Sequence, residues 1–261
     1  MTSTERAPAA VDKAIAGLEG TQHHIGVKAG QVSDVVLMPG DPFRVQLIAE
    51  QLEDPVEVAH NREYRIVNGH YRGRLVTGCS TGMGCPSTAI GVEELARAGA
   101  RIFIRVGSTG ALQPHMALGD LIVSEGSLRN DGTSAAYVPP GYPAVPDLEL
   151  TAALKASAEA LGGRHGFAVH SGINATDDAY YAETPEWIDK LSSLGLTSVE
   201  MESAALFVVA RQRGLRAAMV CAVSGNLVTG EIRYGEENLA LARGWRHSIA
   251  AALEAVCSFD L

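Results

Sequence analysis

Arg101-Ile-Phe-Ile-Arg-Val-Gly-Ser-Thr-Gly-Ala-Leu112 is the stretch that decides the fold. Its first half is a short apolar run rich in β-branched and aromatic side chains, which is typical of a buried central strand. The run ends in a turn with two glycines and two hydroxyls, Gly107 to Gly110. Arg105 stands inside the run, and a guanidinium is costly to bury unless an anion pairs with it. Because ligands of open α/β sheets gather at the carboxyl ends of strands, we expect an anion site at the end of this strand.

The composition is that of an ordinary globular protein: the chain has 261 residues, of which 46% are hydrophobic and 20% charged. A net charge of -9 argues against a nucleic-acid partner. No apolar run reaches the length of about 18 residues that predicts a membrane span, and the first residues lack the apolar core of a signal peptide. The four cysteines form no Cys-x-x-Cys pair, so we expect reduced thiols in a cytoplasmic protein without a zinc or redox motif.

Strands and helices alternate along the chain without a composition break. The alternation predicts an α/β fold of three layers, α/β/α, around a central mixed sheet. We expect one domain over residues 21–261, preceded by an N-terminal arm at residues 1–20. Asn68-Gly69 is a two-residue hairpin signal and predicts antiparallel strands on either side of it. A helix is predicted from Leu148 to Leu161, ended by Gly162-Gly163.

One nucleophile motif occurs in the glycine-rich segment that follows the predicted hairpin. Gly78-Cys-Ser-Thr-Gly82 matches G-x-S-x-G, the strand-to-helix elbow of esterases, with Ser80 as nucleophile. The elbow should pass directly into a helix, yet residues 83–86 intervene and no His-Gly-Gly stretch stands upstream. The dinucleotide and nucleoside-triphosphate loops, G-x-G-x-x-G after a strand and G-x-x-x-x-G-K-[ST], are absent from the sequence. An esterase that uses Ser80 is kept as an alternative.

Arginines, hydroxyls and carboxylates remain as candidates for chemistry. Arg44 follows a glycine turn that opens a predicted helix, and the N-terminus of a helix favours anions. Together with Arg105, Arg62 and Ser108 it would hold a phosphate dianion. A second helix, predicted from Val199 to Ala210, carries two glutamates in its first turn, and carboxylates accept hydrogen bonds from sugar hydroxyls. With a tyrosine face for a base, this set indicates phosphorolysis of a nucleoside.

Four segments resemble the signatures of the nucleoside phosphorylase I family, which holds uridine phosphorylases and the bacterial hexameric purine nucleoside phosphorylases. The four segments are Val35–Pro42 with Arg44, Ser80–Ser87, Arg105–Gly110 and Val199–Ser203. They lie in the order and at the spacing of the family, and the resemblance extends from His24 to the last helix. It implies a cytoplasmic enzyme of nucleoside salvage that assembles as dimers and then as a hexamer.

The resemblance also implies a role for each matching residue. Phosphate, the co-substrate, would be bound by Gly40, Arg44, Arg105 and Ser108, with Arg62 from a neighbouring subunit. Ribose would be held by Ser108, Glu200, Met201 and Glu202, with His24 of the neighbour at the 5′-hydroxyl. The base would contact Tyr180, Thr184, Glu186 and Asn226. Arg105 and Glu202 would be the catalytic pair. No cofactor is implied, apart from a K⁺ ion held between subunits by Glu63 and Ser87.

The segments that should read the base depart from both branches of the family. Thr184 and Glu186 stand where uridine phosphorylases have the glutamine and arginine that read uracil. Gly225 replaces the aspartate with which the purine enzymes protonate the base. We expect a uridine-like nucleoside phosphorylase with altered base recognition. A purine nucleoside phosphorylase, a phosphate-independent nucleosidase of the same fold and a catalytically silent nucleoside-binding protein are the alternatives.

Overall fold

The computed structural model describes residues 20–232 and 238–259. The arm predicted over residues 1–20 lies outside this range except for Gly20, so both the arm and the domain boundary stay predictions. Within the range, no helix is long and apolar enough to cross a lipid bilayer.

The elements alternate as the sequence pattern indicates. The strands are β1 (Val35–Met38), β2 (Glu53–Asn61), β3 (Tyr64–Tyr71), β4 (Arg74–Cys79), β5 (Ile102–Ala111), β6 (Leu121–Asn130), β7 (Val169–Asp177), β8 (Ser198–Glu200), β9 (Arg216–Asn226) and β10 (Glu231–Ile232). The helices are α1 (Arg44–Ala49), α2 (Cys85–Ala98), α3 (Gly132–Tyr137), α4 (Leu148–His165), α5 (Pro185–Ser193), α6 (Ser203–Gln212) and α7 (Leu239–Ser258), with a short 3₁₀ turn at Tyr180–Ala182.

Strand β5, which carries Arg105, lies inside a mixed sheet. The strand order is β10-β9-β6-β7-β8-β5-β1-β4-β3-β2, and β9 pairs with β5 as well. The second pairing closes β5, β9, β6, β7 and β8 into a ring. β5 runs parallel to β1 and β9 and meets β8 in the antiparallel sense at Gly110↔Val199 and Ala111↔Ser198. The end of β5 is thereby brought beside Glu200.

Two apolar layers cover the faces of this sheet, which confirms the predicted three-layer α/β/α fold. Val35 and Leu37 of β1 face one layer, built with α4 and α7, while Val36 and Met38 face the other, built with α2 and α6. The alternation follows from the two-residue period of a strand. Such continuous burial on both faces is what parallel strands covered by helices require.

The hairpin turn is not at Asn68-Gly69, as the sequence predicted, but at Arg72-Gly73. Both turn residues have positive φ, 50° and 79°. Gly69 lies inside β3 opposite Val76, where a side-chain Cβ would come within 2.7 Å of the Cβ of Leu52. The glycine therefore allows close packing of α1's C-terminal turn on the strand and does not mark a turn.

The predicted end of the fourth helix is also wrong. α4 continues through both glycines to His165 and ends at Gly166, which is left-handed with φ 75°. A Cβ at Gly162 would come within 2.7 Å of the carbonyl oxygen of Phe167, so this helical glycine permits a close chain crossing. The helix is closed by the third glycine of this segment, Gly166, because its left-handed conformation ends the helical hydrogen bonding.

Candidate active site

Arg105 lies at the centre of a buried cluster of charges beside the middle of β5. Its Nε is 2.7 Å from Oε2 of Glu200, and its Nη2 pairs with Oε2 of Glu202. All three side chains are almost entirely buried. Burial opposes the charge of Arg105, but the two carboxylates outweigh it and raise the pKa of the guanidinium. The cost of burying the arginine is thus met by two anions of the chain itself.

Gly107 makes this fold of the arginine side chain sterically feasible. A Cβ at position 107 would come within 3.0 Å of Cζ and Nη2 of Arg105 and of Sγ of Cys221. A real Cβ rarely makes contacts this short, so a larger residue here would require the guanidinium or the thiol to shift. The prediction of a turn at Gly107 to Gly110 is wrong, because these residues continue strand β5, and the first of the glycines instead leaves room for the side chain of Arg105.

The prediction that both glutamates lie in the first turn of a helix is wrong. Glu200 ends strand β8 and Glu202 precedes α6, which begins at Ser203. The pairing of β8 with both β5 and β7 draws this segment into the sheet. As a result, the two carboxylates approach Arg105 from one side and helix α6 starts only after them.

The carboxylate of Glu200 is saturated with donors from the chain. Its oxygens accept hydrogen bonds from Thr176 Oγ1 at 2.7 Å, from Ser203 Oγ at 2.7 Å and from Asn174 Nδ2 at 3.3 Å. They also accept from the backbone N–H groups of Glu202 and Ser203, and the side chain is 1% exposed. With Arg105 added, this geometry leaves Glu200 no free surface for a sugar hydroxyl. It disagrees with the expectation that Glu200 holds the ribose and makes it a support for Arg105.

Glu202 has fewer hydrogen-bond partners than Glu200. One oxygen accepts from the backbone N–H of Gly84 at 2.6 Å, and the other pairs with Arg105. Burial raises the pKa of Glu202, although the charge of Arg105 acts in the opposite direction. Met201, between the two glutamates, is half-buried and accepts a weak hydrogen bond from the thiol of Cys85 through its carbonyl oxygen.

Arg44 completes a pair of buried guanidinium groups. Its Cζ lies 5.2 Å from the ring centroid of Trp245, within the range of a cation–π contact. A Cβ at Gly40 would come within 3.1 Å of Arg44 Nη2, so Gly40 is the residue that lets the arginine lie against the turn. Burial, followed by the positive charge of Arg105, lowers the pKa of Arg44.

Arg105 and the half-buried Arg44 both keep buried donors without a hydrogen-bond partner. The Nη1 atoms of both residues make no hydrogen bond within the residues that the structure describes, and Nε of Arg105, although 2.7 Å from Glu200, is not aligned for one. Buried N–H groups almost always have a hydrogen-bond partner, and hydrogen bonds from charged groups are the stronger ones. Ser108, half-buried on the same strand as Arg105, adds a hydroxyl. Arg44, Arg105 and the turn at Gly40 therefore lie close together, with donor capacity suited to an oxyanion, while the part of Ser108 stays a prediction.

The residues predicted to read the base fall into two groups. Tyr180 is 44% exposed and stands edge to face with Tyr181, at a centroid distance of 5.1 Å. Thr184 caps α5 by accepting from the backbone N–H of Trp187, and Glu186 is exposed on that helix. Asn226 is buried, donates to the carbonyls of Gln113 and Met116 and accepts from the N–H groups of Val228 and Thr229. This geometry disagrees with the expectation that Asn226 contacts the base, because its whole amide is used by the backbone.

Glu183 differs from the other acids around the tyrosines. Asp177 is buried and accepts hydrogen bonds from Asn130 and Trp187, while Asp178 accepts from the backbone N–H of Gly132. Glu183 is half-buried, and no described residue donates a hydrogen bond to its carboxylate. Burial, assisted by the charge of Asp177, raises the pKa of Glu183 to about 7.

Residues predicted to act across a subunit boundary lie on the surface around the β2–β3 turn. Arg62 is exposed at this turn with a left-handed φ of 55°. Glu63 accepts from Ser87 Oγ at 2.7 Å. Although burial acts against it, the hydrogen bond from Ser87, helped by the charge of Arg62, holds the pKa of Glu63 below its ordinary value. Over the described part of the chain, no three His, Cys, Asp or Glu side chains form a metal-binding group, so the proposed K⁺ site rests on Glu63 and Ser87 alone.

Ser80 is not placed as a nucleophile. It is fully buried, donates to the carbonyl oxygen of Glu63 at 2.6 Å and accepts from the N–H of Arg65 at 2.8 Å. The hydroxyl therefore joins β3 to β4 and has no histidine as a base. This geometry argues against the esterase alternative.

Comparison with known proteins agrees with this arrangement. The sequence profile of the Phosphorylase superfamily matches residues 34–258. This chain belongs to the phosphorylase superfamily. A guanosine phosphorylase of Halorubrum lacusprofundi is 42% identical to it, over 89% of this chain and 95% of that protein. A uridine phosphorylase of Thermococcus kodakarensis is 46% identical over 85% and 84% of the two chains. The crystal structure of uridine phosphorylase from Vibrio fischeri superposes on 93% of this chain and all of that one, with 37% identity and a TM-score of 0.84.

Sequence reasoning missed several residues that shape the site of this phosphorylase. Asn174 and Thr176, which donate to Glu200, come from β7 and carry no motif, while Ser203 ends the signature Val199–Ser203 but had no predicted role. Trp245, which stacks on Arg44, comes from the last helix. Gly84 had a signal, because it stands in the glycine-rich turn that the sequence marked, but its N–H bond to Glu202 depends on the fold.

Proposed function

We propose that this protein is a nucleoside phosphorylase that transfers the pentose of a nucleoside to inorganic phosphate, reversibly, giving the free base and ribose 1-phosphate. The observation that carries the proposal is the pair of buried, unpartnered Nη1 donors on Arg44 and Arg105. A phosphate dianion has enough acceptor oxygens to bind both guanidinium groups at once. Membership of the phosphorylase superfamily supports the same assignment.

The chemistry requires positioning and electrostatics, and no enzyme nucleophile. The C1′–N bond of the nucleoside breaks, its electron pair leaves with the base, and a phosphate oxygen forms the new C1′–O bond. Arg44, Arg105 and Ser108 would hold phosphate below the sugar, and Glu202 would accept from the ribose hydroxyls beside it. Fixing the two reactants in this order replaces an unfavourable bimolecular encounter and stabilises the positive charge that develops on the sugar. Glu200 would serve by holding Arg105.

Two classes of base are candidates. Uracil is favoured by the overall sequence pattern and by the uridine phosphorylases among the relatives. A 6-oxopurine is favoured by the guanosine phosphorylase among them and by Glu183. A half-buried carboxylate without a donor of its own would accept from the N–H groups of guanine, whereas uracil has only one ring N–H to offer once N1 is glycosylated. Tyr180 would cover the face of either base.

The remaining parts of the proposal concern assembly and setting. Arg62 and His24 would each complete the site of a neighbouring subunit in a dimer, and dimers would assemble into a hexamer. Glu63 and Ser87 would hold K⁺ at that boundary. A cytoplasmic setting and a role in nucleoside salvage are supported by the cysteines, all four of which are free thiols, and by the reaction itself.

The experiment that tests the function is a panel of uridine, guanosine, inosine and adenosine, incubated with and without inorganic phosphate and followed by formation of ribose 1-phosphate. We expect base release to require phosphate, with uridine or guanosine as the best substrate. Base release that proceeds equally well without phosphate would support a nucleosidase. Binding of nucleosides without any turnover would support the silent alternative. Either result would overturn the phosphorylase assignment.

A further inference from the structure

Glu94 is a buried carboxylate that the proposed chemistry does not use. It lies on α2, and its side chain is 3% exposed. The residue that precedes this helix, Gly84, is the one that donates to Glu202. Its Oε2 accepts from the backbone N–H groups of His24 and Ile25 at 2.9 and 3.0 Å, and its Oε1 is 2.6 Å from Nδ1 of His24. A glutamate that is nearly inaccessible to solvent is thus devoted to one short segment around His24.

The arrangement determines how the imidazole is presented. Because a carboxylate oxygen only accepts, Nδ1 carries the hydrogen in the 2.6 Å contact. The other nitrogen, Nε2, makes no hydrogen bond to any described residue, and the ring is 30% exposed. In the neutral ring Nε2 is then a hydrogen-bond acceptor that points away from Glu94. The ring also contacts His23 edge to face at a centroid distance of 4.7 Å, which further restricts its rotation.

Anchoring of the segment around His24 does not by itself account for the contact between Oε1 of Glu94 and Nδ1 of His24. Asn61 Nδ2 already ties the segment to the β2 end through the carbonyls of His23 and His24, at 3.3 and 2.8 Å. The two backbone N–H groups would be satisfied by Oε2 of Glu94 alone. Oε1 contacts only the ring, so its effect is to orient the imidazole and to fix which of its nitrogens carries the hydrogen.

We propose that Glu94 is the positioning residue for His24: it holds Nδ1 and turns Nε2 outward to accept a hydrogen bond from the 5′-hydroxyl of a nucleoside bound in a neighbouring subunit. This inference rests on the proposed function, in which His24 completes a neighbouring site, and on the 5′-hydroxyl contact that the family resemblance implies for it. It adds that selectivity for a 5′-hydroxyl depends on a residue of α2 that never touches the substrate.

The test compares kcat/KM for a good nucleoside substrate with kcat/KM for its 5′-deoxy analogue, in the presence of phosphate. The ratio of the two constants measures the 5′-hydroxyl contact and cancels losses that affect both substrates. We expect His24→Ala to lower the ratio by about 5- to 10-fold, the range of one hydrogen bond. Glu94→Ala should lower it by a similar factor, and the double variant should show little further change because both substitutions remove the same interaction.

Two control variants separate positioning from anchoring. Asn61→Ala loosens the same segment without touching the ring, and Glu93→Ala removes the neighbouring glutamate of α2, which binds Arg213 on the surface. Both should leave the ratio unchanged. If Glu94→Ala does not fold, as judged by circular dichroism, Glu94→Asp keeps the charge but withdraws it by one methylene group and should lower the ratio at least about threefold.

The outcomes distinguish this inference from the function beneath it. A wild-type enzyme without phosphorolysis would remove the proposed function, and the inference with it. A wild-type enzyme that selects the 5′-hydroxyl and loses the selectivity in His24→Ala, but keeps it in a folded Glu94 variant, would overturn the positioning role alone. An equal loss in Asn61→Ala would overturn it as well, because anchoring would then be sufficient.

Discussion

Replacing Arg105 by alanine is the most direct test of the charge cluster. The substitution removes the cation between Glu200 and Glu202 and one of the two unpartnered Nη1 donors. A charge-assisted hydrogen bond contributes about 1.5 to 3 kcal/mol, so we expect KM for phosphate to rise by roughly 10- to 150-fold. KM for the nucleoside should change less, because Glu202, the proposed ribose ligand, loses Arg105 but keeps its hydrogen bond from the N–H of Gly84.

The same substitution should destabilise the fold. Removing one member of a buried ion pair costs about 3 to 5 kcal/mol, and the lower end is expected here because Thr176 and Ser203 still donate to Glu200. For a chain of this size the loss corresponds to a fall in Tm of roughly 6 to 20 °C. Arg216→Ala, which removes a surface arginine paired with Glu149, should lower Tm by little.

The pH dependence of the destabilisation identifies its cause. The pKa of Glu202 is raised by burial, and without Arg105 it loses the main charge that lowers it. A carboxyl whose pKa is raised in the folded state binds its proton more tightly there than in the unfolded chain. Its destabilising effect is therefore small below the ordinary pKa and grows as pH rises toward the folded-state pKa. The Tm difference between Arg105→Ala and wild type should be smaller at pH 5 than at pH 8.

Arg105→Lys is the matched control, because it keeps the charge and loses the guanidinium fork. It should retain most of the stability while still raising KM for phosphate. The reasoning is refuted if Arg105→Ala leaves KM for phosphate unchanged, or if its Tm deficit is the same at both pH values.

Three further predictions follow from single residues. Ser80→Ala should keep phosphorolysis largely intact and lower the unfolding free energy by about 1 to 3 kcal/mol, because the carbonyl of Glu63 and the N–H of Arg65 lose this partner. Loss of turnover in a folded variant would indicate that Ser80 is a nucleophile after all. Gly107→Ala should raise KM for phosphate, because the new Cβ would lie 3.0 Å from the Arg105 guanidinium and displace it. An unchanged KM for phosphate would show that the guanidinium does not need this space. Glu183→Gln should be more stable than wild type above pH 7, with the advantage shrinking as pH falls toward 4.5, because the folded-state pKa of Glu183 is raised to about 7; thermal melts across this range check the sign, and a pH-independent difference would contradict it.

The sequence signals for the proposed phosphate half of the site are local. Gly40 and Arg44 stand at a turn between a strand and a helix, whose character is evident from the neighbouring residues. The signals for the proposed sugar and base half are less local. Val199–Ala210 has the composition of one continuous helix, and only pairing with β5 and β7 makes its first residues a strand. Likewise, Asn226 seemed available for a base because nothing local reveals that four backbone groups use its amide.

The sequence by itself determined the α/β class, a central strand beginning at Ile102 and the expectation that Arg105 must meet an anion. These follow from hydrophobic periodicity and from the cost of burying a charge, both of which act within a few residues. Only the tertiary structure decided which anions they are: Glu200 and Glu202, brought from about a hundred residues away by the β5–β8 pairing. It alone decided that Glu200 is fully bonded within the chain while an Nη1 of Arg105 is left over, since hydrogen-bond satisfaction depends on three-dimensional neighbours.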